Sequence, residues 1–287
     1  MFNRRSRNGV PVGSVSVVIV TYNSGAFISN LMSALEKQTR LPESVIVVDS
    51  GSSNTDYLER VRISPLSCTI ILQPNVGVCV GNNIGWSHAK EHDYVLYLNP
   101  DAFLTSDFLE LATRYLDDPA NARVGMVGGS LLGYDIEKNM PTGFVDTTGV
   151  EQTWYGWFPE RDQGRPVSVL AKYTAPNKIP ALCSAVILCR REALLSIAEG
   201  GDIFDPTFFM YKDDTDVSLR ARRAGWLLVH HPALIAYHCR GWKSRAAVPK
   251  KFRELSARNE IKMLYKHRSP SIIFSIIKYG LIKALNV

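Results

Sequence analysis

Apolar residues come in short runs over the first hundred positions, and each run stops at polar residues. "SVSVVIVTY" (14–22), "SVIVVDS" (44–50), "CTIILQ" (68–73) and "YVLYLNP" (94–100) have the length and β-branched content of strands. Between them, "GAFISNLMSALEKQ" (25–38) and "GNNIGWSHAKEH" (81–92) place apolar residues on one helical face. "SDFLELATRYLDD" (106–118) follows, with Ser106 as the expected N-cap. This alternation predicts a mostly parallel sheet covered by helices. The second half is less regular. "VGMVGGSLLG" (124–133) reads as a further strand, and 134–180 is rich in Gly, Pro, Trp and Tyr without a period, as in long loops. "ALCSAVILCRREALL" (181–195) reads as strand into helix, and "DDTDVSLRARRAG" (213–225) as a helix stopped by Gly225. "WLLVHHPALIAYH" (226–238) reads as a strand pair, and "VPKKFRELSARNEIKMLYKH" (248–267) as a basic amphipathic helix.

The polar residues that end the strands are Thr21, Tyr22 and Asn23; Asp49 and Ser50; Asn75 and Gly77; Asn99 and Asp101. In an open parallel sheet these carboxyl ends share one edge, where ligands bind. Asp101 directly follows an apolar strand, and burial of an unpaired carboxylate is costly, so it is expected at the strand end facing a cation or ligand. Composition agrees with one large α/β domain, or a domain with an appendage, at 46% hydrophobic and 10% aromatic content over 287 residues. Five cysteines without a CxxC pair argue against a disulfide framework or zinc site and fit a reducing cytoplasm. The basic N-terminus is not followed by an export-signal pattern. The net charge of +6 is uneven, because residues 240–287 hold twelve Lys and Arg but two acids. Such a tail suits an anionic membrane surface. No zinc-finger spacing or interleaved basic and aromatic pattern points to nucleic acid.

Five motifs in order, "SVVIVTYNSGAFISNLMSALEKQT" with "VIVVDSGSSNTD", "NVGVCVGNNIG", "YLNPDAFL" and "FFMYKDDTDVSLRARRAGW", carry a resemblance. Over roughly residues 14–240 the chain resembles the family 2 glycosyltransferases of GT-A fold, and among them bacterial rhamnosyltransferases of surface polysaccharide synthesis. The resemblance implies an α/β fold with a mostly parallel Rossmann-like sheet and a C-terminal helical appendage. The expected organisation is a flexible N-terminus over 1–13 and a catalytic domain over 14–240, with a nucleotide-sugar half (14–133) and an acceptor half (134–240). A basic amphipathic helical tail (241–287) follows.

By the same resemblance, Thr21, Tyr22, Asp49 and Ser50 hold the base and ribose of a nucleotide. A tyrosine face can stack and a carboxylate can accept from base or sugar. By their own chemistry Tyr22 could equally pack and Asp49 cap the next helix. Many relatives have a second acid at Ser50, which leaves thymidine and uridine both open. "NVGVCVGNNIG" could bring Asn75, Gly77, Asn82 and Asn83 to a diphosphate, or serve turn formation and close helix packing. Asn99-Pro100-Asp101 matches the family's DxD motif with Asn for the first acid. Asp101 would therefore bind a divalent cation, magnesium or manganese, with Asn99 reaching the ribose or a metal-bound water. His238 stands where some relatives supply a late histidine ligand; its other reading is a hydrogen-bonded strand-end histidine.

Asp214 matches the family's catalytic base, in a run of three acids whose repulsion raises at least one pKa. Asp213 is a possible acceptor contact or a helix-terminal acid, and Asp216 is expected to pair with Arg220 at i,i+4. The reaction implied is a single inverting displacement from dTDP-L-rhamnose, with a UDP-sugar as alternative donor, to a glycan or lipid-linked acceptor. Trp154, Tyr155, Trp157 and Phe158 would stack on that acceptor or form a satellite core. Two rivals are a nicotinamide-dependent oxidoreductase, which should show GxGxxG where "TYNSGAF" stands, and a noncatalytic nucleotide-sugar or membrane-binding module. "SIIFSIIKYGLIKALNV" (271–287) has 17 residues and two lysines, too short and charged to span a bilayer. It is expected to dock peripherally on the inner face of the cytoplasmic membrane, to pack on the domain, or to pair with a second copy in a homodimer.

Overall fold

The computed structural model describes residues 13–240 and 248–285. The flexible N-terminus expected over 1–13 thus lies outside the described residues except for Gly13, as does the 241–247 start of the tail.

The strands are β1 (Val15–Thr21), β2 (Ser44–Ser50), β3 (Cys68–Gln73), β4 (Tyr94–Leu98), β5 (Ala102–Leu104), β6 (Val124–Asp135), β7 (Met140–Thr147), β8 (Asn177–Lys178), β9 (Val186–Arg190) and β10 (Leu227–His238). The helices are α1 (Ile28–Glu36), α2 (Glu59–Arg62), α3 (Gly77–Ala89), α4 (Phe108–Asp117), α5 (Arg191–Ile197), α6 (Asp213–Arg223), α7 (Lys250–Lys266) and α8 (Ile272–Leu285). One sheet runs β3-β2-β1-β4-β9-β6-β10-β5, with β7 beside β6 and β8 beside β10. β1 to β4 are parallel, as expected, while β9, β5 and β7 run antiparallel to their neighbours.

Side-chain alternation divides the core between the two sheet faces. Val17, Ile19, Val45 and Val47 join Leu31 and Leu35 of α1 and Phe108 and Leu109 of α4 on one face. Val18, Ile46 and Val48 join Trp86 of α3, Leu194 of α5 and Val217 of α6 on the other. Met263 and Leu264 of α7 belong to this second cluster, so the first tail helix is part of the folded body. The parallel register sets Thr21 opposite Asp49 and Ser50 opposite Gln73, which aligns the polar strand ends along one edge.

Several boundaries differ from expectation for identifiable reasons. α3 starts at Gly77, four residues early, because Ser50 Oγ accepts the N–H groups of Val76 (3.0 Å) and Gly77 (3.1 Å) and so does the work of a cap. Ser106 is not the N-cap of α4; Asp107 holds that place without a side-chain cap bond, and the Ser106 carbonyl instead accepts from Thr39 N at 2.7 Å. Residues 227–238 form one irregular strand instead of a pair, with a register shift between His230 and Ile235 around Pro232, which has no N–H for a ladder. Gly225 ends α6 at φ +88°, as expected. α7 and α8 form a hairpin, with Lys250 Nζ reaching the Lys283 carbonyl at 3.2 Å. No described helix is long and apolar enough to cross a membrane.

Candidate active site

At the β1 and β2 ends, the Asp49 carboxylate is buried and fully engaged. It accepts from Thr21 Oγ1 (3.1 Å), Ser52 N (2.9 Å), Ser52 Oγ (2.6 Å) and the Tyr57 hydroxyl. Burial alone would raise its pKa, but the hydrogen bonds from Ser52, Tyr57 and Thr21 outweigh it and hold the carboxyl below its usual range. Asp49 therefore fixes the loop that presents Tyr22, which is 54% exposed beside it. Ser50 is tied to the turn into α3 through Val76 N and Gly77 N, and its hydroxyl also lies 3.5 Å from Asn75 Oδ1. Asn75 is exposed at that turn, and Gly77 needs φ +80° there.

The two asparagines of α3 part company. Asn82 is buried on α3. Asn83, expected as a phosphate or sugar donor, has both ends of its amide engaged with backbone: Nδ2 donates to Phe204 O (2.7 Å), while Oδ1 accepts from Ile203 N (3.0 Å) and Phe204 N (2.9 Å). It fastens α3 to that loop. A Cβ at Gly81 would stand 2.7 Å from Val20 and one at Gly85 2.2 Å from Val18, so this glycine spacing serves close packing of α3 on β1.

After β4 the chain turns at Asn99, whose N–H bonds Ala185 O (2.9 Å) and whose carbonyl accepts from Ala102 N (3.1 Å). β5 then pairs antiparallel with β10, setting Ala102 opposite His238. That pairing places His238 Nε2 3.4 Å from Asp101 Oδ1. On the other side of the ring, Nδ1 donates to Asp146 Oδ2 at 2.8 Å. Burial alone would lower the His238 pKa, but Asp101 and Asp146 outweigh it and raise it to about 10. A divalent ion held between Asp101 Oδ1 and His238 Nε2 would have to displace the Nε2 proton, and with that proton gone the pair offers one carboxylate oxygen and one imidazole nitrogen to such a cation. Two ligands are few, and no cluster of three or more such side chains occurs among the described residues, so diphosphate oxygens would have to complete the shell. Arg240 caps this group, pairing with Asp146 through Nε and lying 3.6 Å from Glu160. Burial raises the Glu160 pKa against the pull of Arg240. Asp146, Glu160 and Arg240 were not singled out by sequence.

The acidic helix lies beside this cluster. Ser184 N donates to Asp214 Oδ2 at 3.4 Å, one residue before the Ala185 carbonyl that binds Asn99. Thr215 N holds the other Asp214 oxygen at 2.7 Å. The segment before α6 is strained, with Tyr211 at φ +71° and Lys212 at φ +66°. Asn259 of α7 donates to the Met210 (2.8 Å) and Tyr211 (3.3 Å) carbonyls and braces it.

Asp213 is 5% exposed, with one carboxylate oxygen unpartnered. Burial first, then the Asp214 charge, raises its pKa to about 7. A raised carboxyl pKa means that the folded state keeps a proton the unfolded chain releases near pH 4, so stability falls from there up to about pH 7. Asp213→Asn should therefore stabilise the protein, with a gain about 2 kcal/mol larger at pH 8 than at pH 5 in urea unfolding. An equal change at both pH values would contradict the assignment.

Asp216 is fully buried and joins Arg220 Nε (2.9 Å) as expected, together with Lys266 Nζ (3.3 Å) and His267 Nε2 (2.8 Å) of α7. Burial opposes ionisation, but His267, Arg220 and Lys266 lower its pKa to about 2. Its contribution to stability is thus complete above about pH 4 and lost as pH falls through about 2. Asp216→Ala should cost about 3 to 5 kcal/mol at pH 7, because buried Arg220 loses its carboxylate partner while Lys266 keeps Asp205 and Glu199. Urea unfolding would show it, and a loss below about 1 kcal/mol would contradict this role.

The aromatic cluster divides. Phe158 is core, Trp157 is half-buried, Trp154 is exposed with its ring against Tyr155, and Tyr155 meets Phe274 of α8 edge-on at 6.1 Å.

Among known proteins, the model of the family described as "Glycosyl transferase family 2" matches residues 16–197. The chain is 25% identical over 245 residues to the N-acetylglucosaminyl-diphospho-decaprenol L-rhamnosyltransferase of Mycobacterium tuberculosis, covering 77% of this chain and 75% of that one. It is 28% identical over 111 residues to the O-antigen chain rhamnosyltransferase RfbN of Salmonella typhimurium, covering 38% of this chain and 35% of that one. Among solved structures, GalNAc-T7 with UDP, GalNAc and Mn2+ superposes with a TM-score of 0.63 at 15% identity, covering 95% of this chain and 58% of that one.

Proposed function

The chain belongs to glycosyl transferase family 2 and has the GT-A fold, and from this we propose that it transfers L-rhamnose from dTDP-L-rhamnose to a lipid-linked or glycan acceptor of a surface polysaccharide, with inversion. The observation that carries the reading is the Asp101–His238 pair at the β4 edge with Asp214 tethered next to it through Ser184. Tyr22 stacks on the base, and Thr21, Asp49 and Ser50 shape its pocket. Asn75, Gly77, Asn82 and Asn99 line the way to the diphosphate. Asp101 and His238 would hold a divalent cation, magnesium or manganese, which when bound would offset the charge of the departing diphosphate. Asp214 takes the proton of the acceptor hydroxyl as that oxygen attacks the anomeric carbon. Asp146 keeps the His238 ring turned with Nε2 toward Asp101.

The rhamnosyl donor is favoured by the two rhamnosyltransferase relatives. A UDP-sugar is the second reading, since UDP is bound in the GalNAc-T7 structure. A lipid-linked acceptor would be met at a membrane, so the enzyme acts on the cytoplasmic face as a peripheral protein. The donor is tested by incubating the chain with dTDP-L-rhamnose or UDP-sugars, a diphosphopolyprenol-linked N-acetylglucosamine acceptor and Mn2+, then reading the product by NMR. A product of inverted anomeric configuration from dTDP-L-rhamnose alone is expected. Product only from a UDP-sugar, or with retained configuration, would overturn the assignment.

A further inference from the structure

α8 is an amphipathic helix turned inside out. The side it sets against the protein carries Ser275, Lys278 and Tyr279, with Ile272 and Ile282, and Ser271 just before the helix is buried on the same side. Ser275 Oγ donates to Glu260 Oε1 of α7 at 2.8 Å, and Lys278 Nζ to Glu260 Oε2 at 2.7 Å. The opposite side carries Ile273, Phe274, Ile276, Ile277 and Leu281, each 49–62% exposed. A surface helix of a water-soluble body normally does the reverse. Orienting Ser275 and Lys278 inward on Glu260 fixes the apolar side outward, so its exposure is built into the helix hairpin.

The apolar face does not end at α8. Tyr155 packs edge-on against Phe274, and Trp154, 91% exposed, packs against Tyr155 at 5.3 Å. Gly156, at φ +82°, lies so close to α8 that a Cβ there would come 2.1 Å from Ser271 Oγ. The 154–157 loop and α8 therefore present one continuous surface, with a tryptophan and a tyrosine along its border.

We propose that this surface docks on an anionic lipid bilayer, with the apolar side of α8 in the interface and Trp154 and Tyr155 at headgroup level. The charge around it selects the occupant. Residues 248–285 carry nine Lys and Arg against Glu254 and Glu260, and Lys250, Lys251, Arg258, Arg268 and Lys283 are exposed. A second copy would bring two such cationic surfaces together, whereas anionic headgroups complement them. Interfacial helices combine these features: an apolar side, flanking lysines, aromatic borders and too little length to span. Such docking rests on the reading above that the acceptor is lipid-linked, since it would hold the crevice at the surface where that lipid resides. Trp154 and Tyr155 then face lipid instead of stacking on an acceptor sugar.

The test is co-sedimentation of the full chain with vesicles of phosphatidylcholine alone or mixed with phosphatidylglycerol, at low salt. The double variant Ile273→Gln/Ile277→Gln and Trp154→Ala change exposed side chains only, and circular dichroism with thermal unfolding checks that both remain folded. Docking predicts binding to the mixed vesicles, at least about tenfold weaker binding to neutral ones, and a loss of about tenfold or more in the double variant. Absence of binding to anionic vesicles, or equal binding by the double variant, would overturn it. So would a lipid-free dimer in sedimentation equilibrium that the double variant dissolves. Sugar transfer to a soluble acceptor analogue is measured separately: transfer without vesicle binding defeats only the docking, and vesicle binding without transfer defeats only the enzymatic reading.

Discussion

Asp214→Asn should lower the turnover of sugar transfer by about 10³-fold while leaving donor affinity within about twofold. An amide cannot accept the acceptor's proton, so what is lost is stabilisation of the transition state, not binding of the nucleotide. Ser184 N and Thr215 N bond different oxygens of Asp214, and an asparagine offers only one acceptor oxygen, so one of these bonds is lost and a small loss of order at the α6 start is expected alongside. Neighbouring Asp213, with a pKa of about 7, does not replace it, because it is 5% exposed. Steady-state kinetics with varied donor and acceptor would check this. A variant that lost donor affinity and kept its turnover would move Asp214 to the donor side.

Asp101→Asn should lower turnover by a similar factor, about 10³, but with a different signature. Among the described residues Asp101 is the carboxylate paired with His238 Nε2, so its removal would take away one of the two proposed protein ligands and the charge that favours a cation. Titration of dTDP with and without Mn2+ should show metal-strengthened binding in the parent and none in the variant. The fold should persist, because the side chain sits at a turn and is 23% exposed. Near-normal turnover at saturating Mn2+ would contradict the assignment.

The parallel half of the sheet was legible because β1, β2, β3 and β4 are apolar runs whose polar ends all stop in register. β5, β7 and β8 were not: β5 and β8 have three and two residues, and β7 lies in a stretch without a period. The same holds for the site. Asp101, Asp214 and His238 stood out through ordered motifs, whereas Asp146 meets its partner His238 across 92 positions with no local signal around it. Asn83 looked like a ligand because polar residues near glycines suggest phosphate; its partners, the backbone of 203 and 204, are visible only in the fold. For α8 part of the signal was present: Ser271, Ser275 and Lys278 recur at helical spacing among Ile and Phe and turn inward, while Lys283, equally polar, stays exposed.

The most direct test of the central claim is release of nucleoside diphosphate from sugar nucleotides by the purified full chain, followed with Mn2+, after EDTA, and after Mn2+ is restored. Metal-assisted transfer at the Asp101–Asp214 crevice predicts acceptor-dependent release of dTDP from dTDP-L-rhamnose that stops with EDTA and returns with the metal. Tight binding of sugar nucleotides with no release under any of these conditions, or release that EDTA leaves unchanged, would contradict it.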